Sequence, residues 1–266
     1  MEHLYFFFLF FPLVGIITGF LSGMLGIGGS IIVIPALYVI FEYIGIPRSE
    51  LMHFSIGTAF SIMIFTSITN AASHIRMGNS MPSIIKKMIP SLVIGVIISS
   101  WSIKYIESES LKRIFAVFLL LVSLDLLIKF TRFIRKCENQ NLLLLSSSGL
   151  VIGILSGLLG IGGGSMVIPF LLYLGFEIRK VIGTSAVLTF PIALCGAGVS
   201  MLHMIHIQTD VPMSAGFIYL PALIIVSIFS IISVPFGAKM LNIIPQEKAR
   251  LIFAALLLLT SLKLFF

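Results

Sequence analysis

The feature that most constrains this chain is a succession of apolar segments too long and too numerous for a water-soluble domain. Ten can be drawn, at 4–25, 30–45, 54–75, 84–106, 111–130, 142–159, 164–177, 181–204, 213–237 and 247–266. A helix needs about 20 apolar residues to cross the hydrocarbon core. Segments 30–45 and 164–177 are short for that and are expected to be either short helices or the returning arms of re-entrant hairpins. Hydrophobic residues make up 58% of the chain and charged ones 10%, against about 45–50% and about 25% in soluble proteins. Too few polar residues remain to cover a soluble surface, so the solvent for the apolar faces is lipid. An all-α polytopic membrane protein is expected, with about eight to ten apolar helices, since helices satisfy their own backbone groups in lipid.

The net charge of +7 does not form a nucleic-acid-binding stripe. Its residues sit in connectors between apolar runs, where the positive-inside rule places them, so nucleic acid is not expected as a partner. Cys137 lies in a charged connector and Cys195 in an apolar run, which argues against a disulfide. The first apolar segment has no basic leader and no small-residue cleavage site, and reads as a retained span.

A repeat organises the chain. Residues 19–35 read GFLSGMLGIGGSIIVIP and residues 153–169 read GILSGLLGIGGGSMVIP, identical at 12 of 17 positions at an offset of 134. Gly57-Thr58-Ala59 then matches Gly183-Thr184-Ser185, and Ile114-Phe115-Ala116 matches Ile252-Phe253-Ala254. Chance apolar similarity would not keep glycine, serine and proline in register, so two homologous halves are expected, about 1–140 and 141–266. Counting the glycine turns as the first and sixth connectors, the odd connectors hold 12 Lys and Arg residues and the even ones 4. That bias favours odd connectors on the cytoplasmic side and both termini outside. Each half then makes an odd number of passes and the two are inverted, as in many secondary transporters. An eight-span arrangement with parallel halves is the rival.

The strongest candidate site is Gly26-Ile27-Gly28-Gly29-Ser30 with its echo Gly160-Ile161-Gly162-Gly163-Gly164-Ser165. Three glycines in four positions break a helix, each costing about 1 kcal/mol in a helix interior. Broken backbone at membrane depth is tolerated only where protein or water surrounds it. It also exposes the N–H groups that begin the next helix, which with the helix dipole favour an anion. Close helix packing by small residues is the competing explanation. No strand precedes the glycines, which excludes a dinucleotide fold. Ser22 and Ser156 lie just before the breaks and either line a pore or bond back to their own helix. Thr58, Thr184 and Ser185 can donate to an oxyanion without adding charge, or hydrogen-bond between helices. Asn70, His74 and Arg76 fall near the far end of the third segment. Arg76 reads as an interfacial anchor, and His74 and the related His203 and His206 read more readily as structural than as gates.

No acidic residue lies at mid-depth in a span; Asp125 and Glu42 are near segment ends. Intramembrane acids mark cation and proton pathways, so their scarcity favours a small anionic solute and leaves a coupling ion unidentified. No H-E-x-x-H, G-x-S-x-G or clustered His/Cys/carboxylate pattern is present, nor an ATP-binding loop. An enzyme, a metal site or a cofactor is therefore not expected. An anion channel and a non-transporting membrane subunit are the alternatives, and the sequence is compatible with a homo-oligomer.

The paired G-x-L-S-G-x-L-G-x-G-G stretches running into V-I-P, with the paired G-T-[AS] triplets, resemble the TauE/SafE family of membrane permeases, also called the 4-toluene sulfonate uptake permease family. The resemblance covers nearly the whole chain. It implies a multi-pass protein of the cytoplasmic membrane that moves sulfite, sulfonates or related organosulfur anions. Carried onto this sequence, it makes residues 26–30, 160–165, 57–59 and 183–185 the candidate substrate-lining elements. The halves differ where Ser30 faces Gly164 in the alignment and where Ala59 replaces serine.

Overall fold

A computed structural model describes residues 2–25, 28–128, 141–203, 211–240 and 246–265. Gly26, His206, Cys137 and the connector cations Lys129, Arg132, Arg135 and Lys136 lie outside the described residues. The helices are α1 (Glu2–Leu25), α2 (Ser30–Tyr43), α3 (Leu51–Arg76), α4 (Pro82–Ser102), α5 (Ser108–Ile128), α6 (Leu142–Leu159), α7 (Gly164–Tyr173), α8 (Ile178–Leu202), α9 (Leu220–Met240) and α10 (Gln246–Phe265). This is an all-α polytopic membrane protein, and its helices follow the apolar segments closely.

Among the described residues, five stretches are long and apolar enough to cross a membrane: α3, α4 with the 3₁₀ turn Ile103–Tyr105, α6, α8 and α9. At 1.5 Å per residue, α2 with 14 residues and α7 with 10 reach only about 21 and 15 Å, short of the ~30 Å core. Both end alike. Gly45 and Gly175 take positive φ, and the next amides, of Ile46 and Phe176, return to the carbonyls of Phe41 and Leu171. These are glycine-terminated helix ends that satisfy the last carbonyls.

One segment differs from expectation. The apolar run at 213–237 opens not as helix but as a two-stranded ribbon, Ser214–Ala215 paired with Ile218–Tyr219. Met213 and Gly216 both have φ near 59°, which no right-handed helix accommodates. Hydropathy misses this because Phe217, Ile218 and Tyr219 are as buried as helix residues.

Small residues decide which helices pair. Gly15, Gly19 and Gly23 of α1 lie on the carbonyls of Val226, Ser230 and Val234 of α9. Gly149, Gly153 and Gly157 of α6 lie on those of Met88, Leu92 and Val96 of α4. Each series ascends together, so α1 runs parallel to α9 and α6 to α4. Without side chains at these positions the backbones approach closely, as membrane helices require in the absence of a hydrophobic drive. On the outside, Ser123 of α5 donates to the Ala254 carbonyl of α10 (3.2 Å) while Ser261 of α10 donates to Ala116 of α5 (2.8 Å). That crossing of partners makes α5 and α10 antiparallel.

The centre is α3 crossed by α8. Of the spans, α3 is the most enclosed, with 83% of its apolar window buried, against 56% for α8. His53 at the start of α3 and His203 after the end of α8 both meet the Phe217 ring, at 5.1 and 5.6 Å. At the opposite end, Thr184 near the start of α8 bonds to Met81, just past the end of α3. The two helices therefore run antiparallel. This arrangement gathers Arg76, Lys86, Lys87, Arg179, Lys180 and Lys239 at one end of the bundle, the end at which α3 finishes. The positive-inside rule expects that end on the cytoplasmic side. Leu121, Ile98, Ile224, Phe236 and Leu259 are exposed around the outside, the distribution a lipid-facing surface requires.

Candidate functional site

Each helix break is built by left-handed glycine. Gly29 (φ 74°) precedes α2, Gly160 (φ 69°) ends α6 and Gly163 (φ 67°) precedes α7. Gly28 shares the same conformation, at φ 74°, which an L side chain resists. After the first break the chain folds back on itself. A side chain at Gly29 would meet the Thr18 carbonyl at 3.1 Å and Ser22 Cβ at 3.3 Å on α1. At the far end of α2, Phe41 packs on Tyr219, just ahead of α9. So α2 returns toward the end from which α1 came.

The two breaks meet. An added Cβ at Gly28 would lie 3.6 Å from Gly162 Cα. Met63 of α3 and Thr189 of α8 close over both turns: Thr189 Cγ2 would stand 2.8 Å from that atom and 2.7 Å from its counterpart on Gly162. Ser30 Oγ accepts the N–H of Gly162 at 3.1 Å, and Thr189 Oγ1 donates to the Gly162 carbonyl at 2.6 Å. Gly28, Gly29, Ser30, Gly160, Gly162, Gly163 and Gly164 are buried, and Ser165 is half-buried with its hydroxyl unpartnered. The first turns of α2 and α7 hold amides that have no intrahelical carbonyl to bond. Both helices begin at the same buried place.

The Gly-Thr pairs receive main chain from distant parts of the sequence. Thr58 Oγ1 accepts the N–H of Tyr219 at 3.0 Å, and Thr184 Oγ1 accepts that of Met81 at 3.0 Å. Beside them, Gly57 lies under the Phe217 carbonyl and Gly183 under the Asn79 carbonyl, with no room for a side chain. Each pair thus docks the backbone that leads into the fourth helix of the other half, α9 or α4. The two contacts lie toward opposite ends of the crossing helices and do not converge on the glycine turns. Ser185 is buried next to Thr184, and its carbonyl accepts from Thr189 at 2.9 Å.

Outside the Thr58 contact a cavity of about 520 Å³ is lined by Arg48, His53, Lys104, Tyr105, Glu107 and Glu109 among others. His53 Nε2 sits 3.2 and 3.1 Å from the carbonyls of Ile103 and Ile106, closing the cavity floor against Phe217. Lys104 lies over the rings of Trp101 and Tyr105 at 4.7 and 5.0 Å.

Met63 and Thr189 escaped the sequence reading, although each stands six residues beyond its half's Gly-Thr glycine. A repeated position was the available signal, masked by the different residue types. The buried polar residues among those described are Ser, Thr, Asn and His, with no Asp, Glu, Lys or Arg.

Comparison with known proteins agrees with this architecture. The family model described as "Sulfite exporter TauE/SafE" matches residues 11–264. A probable membrane transporter protein of Haemophilus influenzae is 29% identical over 259 residues, 95% of this chain and 96% of its own. Another from Methanocaldococcus jannaschii is 29% identical over 92% of this chain and 90% of its own, and one from Bacillus subtilis, YdhB, is 28% identical over 88% and 90%. No solved structure matches the chain. With ten α-helices among the described residues and a family match over almost its full length, the chain belongs to the sulfite exporter TauE/SafE family of multi-pass membrane proteins.

Proposed function

We propose that this chain is a secondary transporter of a small anion, of the sulfur oxyanion or organosulfonate class, in which two inverted halves alternate access to a central site. A membrane transporter is what the family and the naming of its relatives support. The observation that carries the anion reading is the meeting of Gly28 with Gly162. It brings the amide-rich starts of two helices to one buried place without any acid among the described buried residues. Such helix starts favour negative charge. Ser165 offers an unpartnered hydroxyl there, and Ser30, accepting from Gly162, keeps its hydrogen to give.

Inversion is supported by helix direction. α3 and α8, the third helices of the two halves, run antiparallel, and so do the fifth helices α5 and α10. Their Ser-to-Ala bonds exchange partners at one offset, 138, that carries Ser123 to Ser261 and Ala116 to Ala254. Within this reading the Thr58–Tyr219 and Thr184–Met81 contacts are the two closures, one on each side, and rocking of the halves opens them in turn.

The test is flux in liposomes of purified protein against sulfite, sulfate, thiosulfate and methanesulfonate. Saturable uptake with counterflow exchange of at least one anion is expected. Movement of a cation with none of the anions would end the proposal, and non-saturable flux without exchange would make the protein a channel.

A further inference from the structure

The first half holds a polar cluster that the second half lacks. Asn70 and His74 are one helical turn apart on the same face of α3, and both are buried, at 1% and 0% exposure. Asn70 Nδ2 donates to the Ser22 carbonyl of α1 at 3.1 Å. The Gly23 carbonyl faces the His74 ring without hydrogen-bond geometry. Asn70 Oδ1, the Ser22 hydroxyl and both ring nitrogens of His74 have no hydrogen-bond partner among the described residues. Buried polar atoms are seldom left this way, and an ionisable side chain inside a membrane span marks a functional site.

The cluster adjoins the glycine turn, since Ser22 Cβ is the atom a side chain at Gly29 would meet at 3.3 Å. From there it runs toward the cytoplasmic end of α3, where Arg76 is exposed two residues beyond His74. The offset of 126 that carries Gly57 to Gly183 carries Asn70 to Gly196 and His74 to Ser200. Gly196 lies beneath the Phe60 ring, 2.7 Å from where its side chain would begin. Only one half therefore has the titratable group.

Charge supplies the reason for it. An anion at the centre of a membrane needs a counter-charge, and no Lys or Arg is buried among the described residues. The charged groups on the elements packed around α3 at this end are the exposed Arg76, Lys86, Glu177, Arg179, Lys180 and Lys239 and the half-buried Lys87. Among the described buried residues at this end of the bundle, His74 is the one group that can acquire and give up a positive charge; the other buried histidines, His53 and His203, meet Phe217 at the opposite end.

We propose that Ser22, Asn70 and His74 form a proton-binding site beside the glycine turns, so that each anion crosses together with a proton. The proton comes from water with the anion on one side and returns to water on the other; no bond besides the N–H of the imidazole forms or breaks. This rests on the anion-transport reading above. His74 is the carrier, while Asn70 Oδ1 and the Ser22 hydroxyl supply the other unpartnered polar atoms of the cluster.

The experiment uses proteoliposomes with the membrane potential clamped, methanesulfonate and sulfite as probes, and a pH dye inside. Methanesulfonate does not titrate, so any proton movement belongs to the protein. A gradient of one pH unit should accumulate it about tenfold for one proton per anion, and a methanesulfonate gradient should acidify the side it enters. H74Q should lose both effects and slow methanesulfonate counterflow; N70A should keep proton flux but slow it. Anion flux that neither responds to nor moves protons overturns the coupling alone, as does H74Q behaving like the parent. If H74Q does not fold, the parent protein's response to the gradient decides. Absence of flux for every anion sinks the transport reading and the coupling with it.

Discussion

Thr58 and Tyr219, 161 residues apart, are joined by a 3.0 Å hydrogen bond in which the threonine hydroxyl accepts a backbone N–H. The same bond recurs between Thr184 and Met81. In both places a Gly-Thr pair on a central helix receives main chain from the other half, the glycine making room and the threonine satisfying an amide that the preceding turn leaves over.

Replacing Thr58 or Thr184 by Val keeps the shape and removes the acceptor. A buried amide left unpaired costs about 1–3 kcal/mol. Melting of T58V and T184V in detergent should therefore fall clearly below the parent, while T58S and T184S should stay near it. Equal stability of the valine variants would show that the bond contributes nothing.

Gly183 and Gly198 share α8 but not a fate. A methyl at Gly183 would run into the Asn79 carbonyl, whereas nothing lies within 4 Å of the position at Gly198. G183A should destabilise by about 1–3 kcal/mol, as overpacking does. G198A should be neutral or stabilising by about 0.4–1 kcal/mol through the unfolded state. Thermal melting of the two variants side by side checks this.

Gly162 tests the meeting of the breaks. Its φ is not in the left-handed region, so alanine brings no backbone strain. The new methyl would press on Met63 Sδ at 2.6 Å, and the end of a methionine can yield. G162A should fold, yet lose most anion flux, and M63A added to it should restore part. Unchanged flux in G162A would separate the glycine turns from the transport path.

The two ends of α3 should face opposite sides. With Cys137 and Cys195 changed to serine, R48C and K86C should react with a membrane-impermeant maleimide from opposite sides of a sealed vesicle. K86C is expected on the cytoplasmic side, where the cations gather. Labelling of both from one side would contradict the fold.

Much of the architecture was legible in the chain. Apolar runs gave helix limits to within a few residues because lipid thickness imposes their length. The breaks at Gly28–Gly29 and Gly160–Gly163 were legible because only glycine tolerates left-handed backbone there. The ribbon before α9 was not, since Phe217 and Ile218 look the same to hydropathy in helix or strand. The roles of Thr58 and Thr184 were not either. A small hydroxyl residue after glycine reads equally as a substrate donor or a packing contact until its partner is known, and its partner here is a backbone amide from the other half.

The sequence by itself determined that this chain lives in lipid, that its motif is doubled, and where its helices must break. These are local consequences of solvent and of backbone sterics. Only the tertiary structure decided that the two breaks touch, that Met63 and Thr189 close over them, and that Asn70 Oδ1 and the His74 ring have no hydrogen-bond partner among the described residues, with Gly196 and Phe60 filling the matching place. Such facts depend on which helix faces which. Contacts between residues more than a hundred positions apart set that, and no window of sequence contains both partners.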